Sequence, residues 1–407
     1  MASLTVMRVL ARRAETWLLL AIIVWIAIGF LALRGVPHIQ DEYLHEALIR
    51  RLIQGDWTAD SAVTVFPTQH FLIASMLRVF TVTPSVDAMR LVAMFLHLLV
   101  LPGAYLVARG AGGERDDALR RTLMLALMPS ITPFIFLIYV DVFAIALLLL
   151  SVAAQQRNRH GLSALVIAAA SVVRQTSIIW CVWQLASWLL ARWRREAGRS
   201  MGGAWYVIVL IAFGALLLWN GGLVVGDASA HPVGRLFPGN VFFALVLLWI
   251  YFLPLHVAIL PAVLRRIRQQ PMWLAWLLLA GLAFYLLFRA DHPYNAIAPA
   301  QIMHNRLVGW LLEPHGRLLG GVLVAWSVAT LWLTPIRGQG SSLLLPFAML
   351  SLLPLGLVEP RYAAPAIALW LLMRGMTTRQ TEWLLVGWLA TLGSIVLAYQ
   401  ASYTMTL

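Results

Sequence analysis

The feature that most constrains this chain is its succession of apolar runs. They cover 17–33, 88–108, 122–138, 141–154, 162–174, 177–191, 204–219, 240–263, 272–288, 317–334, 342–357, 362–373 and 383–401. A helix needs about 20 apolar residues to cross a bilayer, fewer at the margin. Lipid offers no partner to a free backbone N–H or C=O, so runs of this kind are read as helices. Residues are 61% hydrophobic and only 12% charged, with a mean hydropathy of +0.82, whereas a soluble domain carries about 25% charged residues. The chain therefore reads as an all-α polytopic membrane protein, one transmembrane domain over 1–407 without a separate soluble domain. The run at 17–33 has basic residues before it and no small-residue cleavage site after it, which reads as an anchor rather than a signal peptide.

Arginine fixes the order of crossing. The net charge is +13, which raises the question of nucleic acid. The basic residues, however, are all arginine and sit in short clusters between apolar runs, the pattern of cytoplasmic loops. Nucleic-acid binding is therefore not expected, and the arginine-only usage suggests a GC-rich prokaryotic source. With the N-terminus in the cytoplasm and every run crossing, Arg109/Arg115/Arg120/Arg121, Arg157/Arg159, Arg192/Arg194/Arg195/Arg199, Arg265/Arg266/Arg268, Arg337 and Arg374/Arg379 share one side. Reading 122–154 or 162–191 as a single helix breaks that agreement. The sequence thus predicts breaks at Tyr139–Asp141 and at Arg174–Ser177, and about 11–14 spanning helices. A span of about 12 residues is only about 18 Å long as a helix, so some are expected to stop short or to lie inside the protein.

On the opposite, non-cytoplasmic side lie Asp41-Glu42, Asp141, Arg174-Gln175, Asn220-Gly221-Gly222 through His231, Asp291-His292-Pro293, His304-Asn305-Arg306 and Glu359-Pro360-Arg361-Tyr362. A pure scaffold has no reason to gather its polar islands on one face. The first non-cytoplasmic loop, residues 34–87, is the longest. Leu44, Leu48 and Leu52 recur every four residues and predict a helix from about Asp41 to Gln54, with Glu46 and Arg50 as a favourable i,i+4 pair. Gly55 ends it. A second apolar segment, Phe71 to Phe80, is expected to lie in the membrane interface.

Charge beside a bilayer is costly and marks candidate functional groups. Asp41 either caps the helix it opens or acts as a general base toward a hydroxyl. His45, four residues on, shares its face. Glu42 and Glu46 read as residues of the solvated face. Arg174 interrupts an apolar run and needs an anionic or carbonyl partner. It either bridges to Asp141 or meets a lipid phosphate, which guanidinium matches in shape. Arg306 and Arg361 are further phosphate candidates, or else headgroup anchors. The Asn220-Gly221-Gly222 turn could bring backbone N–H groups to an anion. His231 and His292 lack ligand spacing, and the single cysteine, Cys181, rules out an internal disulfide or a cysteine cluster. No metal and no cofactor is expected.

Taken together, Asp41-Glu42, Arg174-Gln175-Thr176-Ser177-Ile178-Ile179-Trp180, Asn220-Gly221-Gly222-Leu223-Val224-Val225-Gly226-Asp227 with His231, Leu236-Phe237-Pro238 and Arg361-Tyr362 resemble the eukaryotic dolichyl-phosphate-glucose α-1,2-glucosyltransferases in order and spacing. Those enzymes add the last glucose to the lipid-linked oligosaccharide. The resemblance runs from about residue 37 to 365. It departs at Asn305-Arg306-Leu307-Val308, where the family has Asn-Arg-His-Tyr, and at Ala228–Pro232, where the family has Ser-Ser-His-Glu.

The resemblance implies a GT-C fold and an inverting transfer from a polyprenyl-phosphate sugar to a lipid-linked or envelope glycan on the non-cytoplasmic face. It implies Asp41 as base, with Glu42 or His45 positioning the acceptor or orienting Asp41. Arg306 and Arg361, with Arg174 and His292 in reserve, would neutralise the leaving phosphate. Gln175, Asn220, Asp227, His231, Asn305 and Tyr362 would shape the sugar and acceptor pocket. The partners implied are the donor lipid, the glycan acceptor and membrane lipids. Two other readings are a GT-C transferase of mannose or arabinose and a transporter of lipid-linked sugar. The lack of internal repeats and of paired broken helices weighs against the transporter.

Overall fold

The structure is a computed structural model that describes residues 2–39, 41–57, 63–194, 201–225, 235–292, 295 and 302–402. Its helices, in chain order, are α1 (Ala2–Leu33), α2 (Glu42–Gln54), α3 (Thr68–Val79), α4 (Val86–His97), α5 (Val100–Gly110), α6 (Arg115–Leu127), α7 (Val140–Gln155), α8 (His160–Val173) and α9 (Ile178–Trp193). They continue with α10 (Gly202–Asn220), α11 (Gly239–Tyr251), α12 (Leu253–Gln269), α13 (Met272–Leu287), α14 (Ile302–Leu312), α15 (Pro314–Leu333), α16 (Ser341–Leu352), α17 (Pro360–Met373) and α18 (Arg379–Ser402). Among the described residues the only extended pairing is an isolated bridge between Ile336 and Arg374.

Among the described residues, five stretches are long and apolar enough to cross a membrane: Ala14–Leu33, Val86–Gly110, Gly202–Asn220, Pro314–Leu333 and Arg379–Ser402. Shorter apolar helices, α7, α8, α13 and α16, lie among them. The protein is thus a multi-pass membrane protein. Helices α7 and α17 are buried along almost their whole length. Wrapped in protein rather than lipid, they need not match the bilayer thickness.

Two expected spans take another form. The run 122–138 is helical only to Leu127. The segment that follows, Met128–Tyr139, is irregular apart from a 3-10 turn at Pro133–Ile135. Pro129 and Pro133 each remove a backbone donor, and the segment is tolerated because Met128, Ile131, Phe136 and Tyr139 are buried in protein. The run 240–263 breaks at Phe252, where α11 and α12 meet with a bend of 95° and Pro254 follows. The breaks expected at Tyr139–Asp141 and Arg174–Ser177 are present.

The first loop folds as the leucine spacing requires. α2 ends at Gly55, whose left-handed φ of 85° is open to glycine without strain. Leu48, Ile49 and Leu52 pack on Ile73, Ala74 and Leu77 of α3, on Met89 and Ala93 of α4, and on Ile138. Burying each such Leu or Ile stabilises the loop by about 1.5–3 kcal/mol.

Two parts of the arginine pattern lie at opposite ends of α17. Arg121 donates to the carbonyls of Leu372 and Arg374 at the C-terminus of α17, and Arg374 forms a two-pronged buried pair with Glu382. Arg120 lies over Trp383. The N-terminus of α17 carries Arg361, about 20 Å away along a helix of this length. That end brings together Asp41, Asp141, Arg174 and Arg361.

Candidate active site

The site begins with a buried clamp at the entrance to α2. Glu42 is fully buried and accepts from Arg90 through Nε (2.9 Å) and Nη2 (2.5 Å), and from the N–H groups of Ile138 (3.1 Å) and Ile39 (3.2 Å). The Arg90 guanidinium also donates to the carbonyls of Leu33, Val36 and Pro37. Glu42 is thus not on a solvated face, nor is it free to hold an acceptor. It ties the end of α1, the connection to α2 and the Met128–Tyr139 segment to α4. Glu46 likewise faces protein, paired with His38 and Arg50. Its carboxyl is held below its ordinary value, since those two partners outweigh the opposing effect of burial.

Asp41 precedes this clamp and differs from it. It occupies the N-cap position of α2, yet its side chain makes no capping hydrogen bond and is 55% exposed. The capping role is therefore absent, and the carboxylate is left facing outward. Its Oδ2 lies 3.7 Å from Nη2 of Arg361. Its backbone N–H donates to the Tyr139 hydroxyl at 3.0 Å.

Arg361 is the hub. Its guanidinium bonds Glu359, approaches Asp141 Oδ2 at 3.9 Å, and lies 5.5 Å from the ring centres of both Tyr139 and Tyr362. Burial opposes its charge, but Glu359, Tyr362, Tyr139 and Asp41 raise its pKa above the ordinary value overall. Arg174 pairs with Asp141 Oδ1 and stands over the Tyr362 ring at 5.0 Å. The bridge to Asp141, one of the two roles the sequence offers Arg174, is present. Asp141, Arg174, Arg361 and Tyr362 line one cleft together with Thr176, Ser177 and Trp180, and its apolar walls are Ala144, Ile145, Leu148, Leu355 and Pro365.

Neighbouring segments hold this cleft in place. The Thr64 carbonyl accepts from the Gln175 side chain (3.2 Å) and from the Val225 N–H (3.3 Å), which joins the first loop to the Arg174 and Asn220 segments. The Asn220 amide donates to Gly222 and Val224 of its own turn. Asn240 donates to the carbonyls of Leu355 and Leu357 and accepts the Glu359 N–H. At Gly239 an added Cβ would lie 2.3 Å from the Arg289 carbonyl oxygen, so only glycine fits that approach.

Beneath Asp41, His45 and His70 stack with ring centres 5.0 Å apart and share a hydrogen bond of 2.7 Å. Burial, and secondarily the charges of His70 and Arg361, hold His45 well below its ordinary pKa. Burial alone takes His70 down to about 4. Both are neutral at pH 7 and belong to the support of the site.

Of the residues expected from sequence, Asp41, Arg174, Arg361 and Tyr362 come together, and Gln175 and Asn220 brace the adjoining loops. His292 lies apart from the cleft lining, its ring beside Gly356. Arg306 is exposed on α14 and does not line the cleft. The Asn305 side chain, Asp227 and His231 lie outside the described residues. Sequence reading passed over Arg90, Tyr139, Gln69, His70 and Asn240. For Arg90 a signal was present, a cation inside an apolar run.

The model of the DIE2/ALG10 family matches residues 36–203 and 200–296. A Dol-P-Glc:Glc(2)Man(9)GlcNAc(2)-PP-Dol alpha-1,2-glucosyltransferase of Arabidopsis thaliana is 30% identical over 106 residues, 25% of this chain and 20% of that enzyme. The enzyme of the same name from Debaryomyces hansenii is 26% identical over 203 residues, 44% of this chain and 43% of the relative. The matches therefore span less than half of either relative's length. ArnT from Cupriavidus metallidurans superimposes with a TM-score of 0.45 bound to undecaprenyl phosphate and 0.39 in the apo state. The identities are 14% and 15%, and 96% and 95% of this chain and 78% of each ArnT chain are covered. The family match covers more than half of the sequence, including Asp41, Glu42, Asp141, Arg174 and Asn220, and the chain belongs to the DIE2/ALG10 family.

Proposed function

We propose that this protein is an inverting glycosyltransferase of GT-C type that moves a hexose, glucose before others, from a polyprenyl-phosphate sugar to a hydroxyl of a lipid-linked or envelope glycan. The observation that carries the reading is the contrast between two adjacent carboxylates. Glu42 is buried and fully bonded. Asp41 is exposed, makes no capping bond and lies 3.7 Å from the Arg361 guanidinium, which lines a cleft with Arg174 and apolar walls. Family membership supports glucose as the sugar.

In this reading Asp41 takes the proton of the acceptor hydroxyl. That oxygen forms a bond to C1 of the donor sugar from the face opposite the lipid phosphate. The bond from C1 to the phosphate oxygen breaks, and the phosphate leaves with the electron pair. Arg361 and Arg174 face the growing negative charge in a site already arranged for it. Two arginines against Asp41, Asp141 and Glu359 leave the cluster one charge negative. As Asp41 becomes protonated its hold on Arg361 falls, and the guanidinium turns to the phosphate as that gains charge. Arg174 takes the place that the sequence alone gave to Arg306, because it lines the cleft and Arg306 does not. The arginine-rich end is assigned to the cytoplasm by the charge rule, which puts the Asp41 end on the non-cytoplasmic face.

The test is sugar transfer by purified, reconstituted protein. Radiolabelled polyprenyl-phosphate glucose and polyprenyl-phosphate mannose are offered in parallel, with lipid extract of the source organism as acceptor. Transfer from the glucose donor alone is expected. Transfer from the mannose donor alone overturns the choice of sugar. Binding of neither donor overturns the enzyme reading.

A further inference from the structure

We infer that Tyr139 is a positioning residue for the transfer, setting the distance between the Asp41 carboxylate and the Arg361 guanidinium. The inference rests on the reading of Asp41 as the base. Tyr139 is fully buried, and its hydroxyl does not reach the cleft. Instead the phenol O–H donates to the Ile39 carbonyl at 2.9 Å and accepts the Asp41 N–H at 3.0 Å. These bonds clasp the backbone on both sides of the turn into α2, at the base itself rather than at a distant support.

The same ring carries Arg361, whose guanidinium carbon lies 5.5 Å from its centre. An aromatic face attracts a cation and fixes its height over the ring. One side chain therefore touches the backbone of the base and the face of the cation beside it. The phenol is itself held. Its backbone carbonyl accepts from the Gln69 amide at 3.1 Å, and its ring meets the edges of His45 and Phe134 at 5.2 Å each. Two residues on, Asp141 bonds Arg174. The run from Tyr139 to Asp141 thus sets all three charged groups of the proposed reaction.

Burial alone does not explain a tyrosine here. Phenylalanine would fill the same space and keep the ring under Arg361, whereas only the hydroxyl answers the Asp41 N–H and the Ile39 carbonyl. A displacement of about 1 Å at a reacting group can cost on the order of 100-fold in rate. The two functions of the side chain therefore separate kinetically.

The experiment compares wild type, Tyr139→Phe, Tyr139→Leu and Asp41→Asn in the reconstituted transfer assay. Rates are expressed per donor-binding molecule, titrated with the polyprenyl-phosphate glucose donor. Tyr139→Phe is expected to lower kcat by about 10- to 100-fold with donor KM within about threefold of wild type. Tyr139→Leu is expected to lower kcat similarly and to raise donor KM as well, since Arg361 loses its ring. A Tyr139→Phe kcat within about twofold of wild type overturns the inference, as does a loss fully accounted for by a smaller donor-binding fraction. Should Tyr139→Phe yield no folded protein, Gln69→Met decides. It releases the Tyr139 carbonyl but keeps the phenol, and an unchanged kcat there overturns the inference. Asp41→Asn separates the two levels. If it retains turnover, the base assignment fails. If it is inactive while Tyr139→Phe is normal, only the positioning role fails.

Discussion

Replacing Glu42 with alanine removes the buried carboxylate that Arg90 holds through two hydrogen bonds, and the structure sets the scale of the loss. Glu42 accepts four hydrogen bonds, two of them from a guanidinium. Without it, Arg90, 3% exposed, keeps three carbonyl partners and, as countercharge, only the more exposed Asp87 carboxylate 3.9 Å from its Nη1. Breaking one side of a buried pair costs about 3–5 kcal/mol, most of it the penalty of the stranded charge. Arg90→Ala strands Glu42 in turn, with only the Ile39 and Ile138 amides. The double variant strands neither, so its loss should fall short of the sum of the two singles by about 2 kcal/mol or more. Equilibrium unfolding in mixed micelles, run as a double-mutant cycle, reads all three. Asp41→Asn in the same assay should cost about 0–1 kcal/mol, as expected of an exposed charge pair. A Glu42→Ala loss below about 1 kcal/mol, or strict additivity in the cycle, would refute the reasoning and reopen a direct role for Glu42 in the reaction.

Two other expectations follow from the groups around the site. His70 is held neutral in the fold with its pKa at about 4, whereas the unfolded imidazole titrates near 6.5. Its contribution is complete above pH 6.5 and is lost as pH falls toward 4, amounting to about 2 kcal/mol by pH 5. His70→Asn should flatten that slope, and an unchanged dependence of unfolding free energy on pH from 7 to 5 would contradict it. Asn240→Ala leaves two carbonyls and the Glu359 N–H without their partner, for a loss of about 1–3 kcal/mol. Because Glu359 holds Arg361, turnover per folded molecule should fall too, and a normal rate would show that this bracing is not needed.

The legible part of the fold was the part that hydropathy and short spacing determine. The α2 helix and its glycine end followed from a four-residue leucine repeat and Gly55. The breaks near Asp141 and Arg174 followed from where arginine has to lie. The Arg174–Asp141 pair was one of two stated options, and the structure contains it. Hydropathy does not tell lipid from protein as the surroundings of an apolar run. Hence 122–138 read as a span, although Met128–Tyr139 is irregular backbone buried in protein, and 240–263 read as one span despite its bend at Phe252. Glu42 was misread for a different reason. Its partner Arg90 is 48 residues away in sequence, and helix spacing within α2 carries no trace of it. Tyr139 and Gln69 were missed because a tyrosine at the end of an apolar run looks like packing until the backbone it bonds is known.

The most direct measurement is a single-turnover transfer from polyprenyl-phosphate glucose by Asp41→Asn, with donor binding measured on the same preparation. The account predicts donor binding and stability close to wild type and a transfer rate lower by at least about 100-fold, the scale of lost general-base catalysis. A transfer rate near that of wild type would contradict it, and the Asp41 carboxylate beside Arg361 would then not be the base.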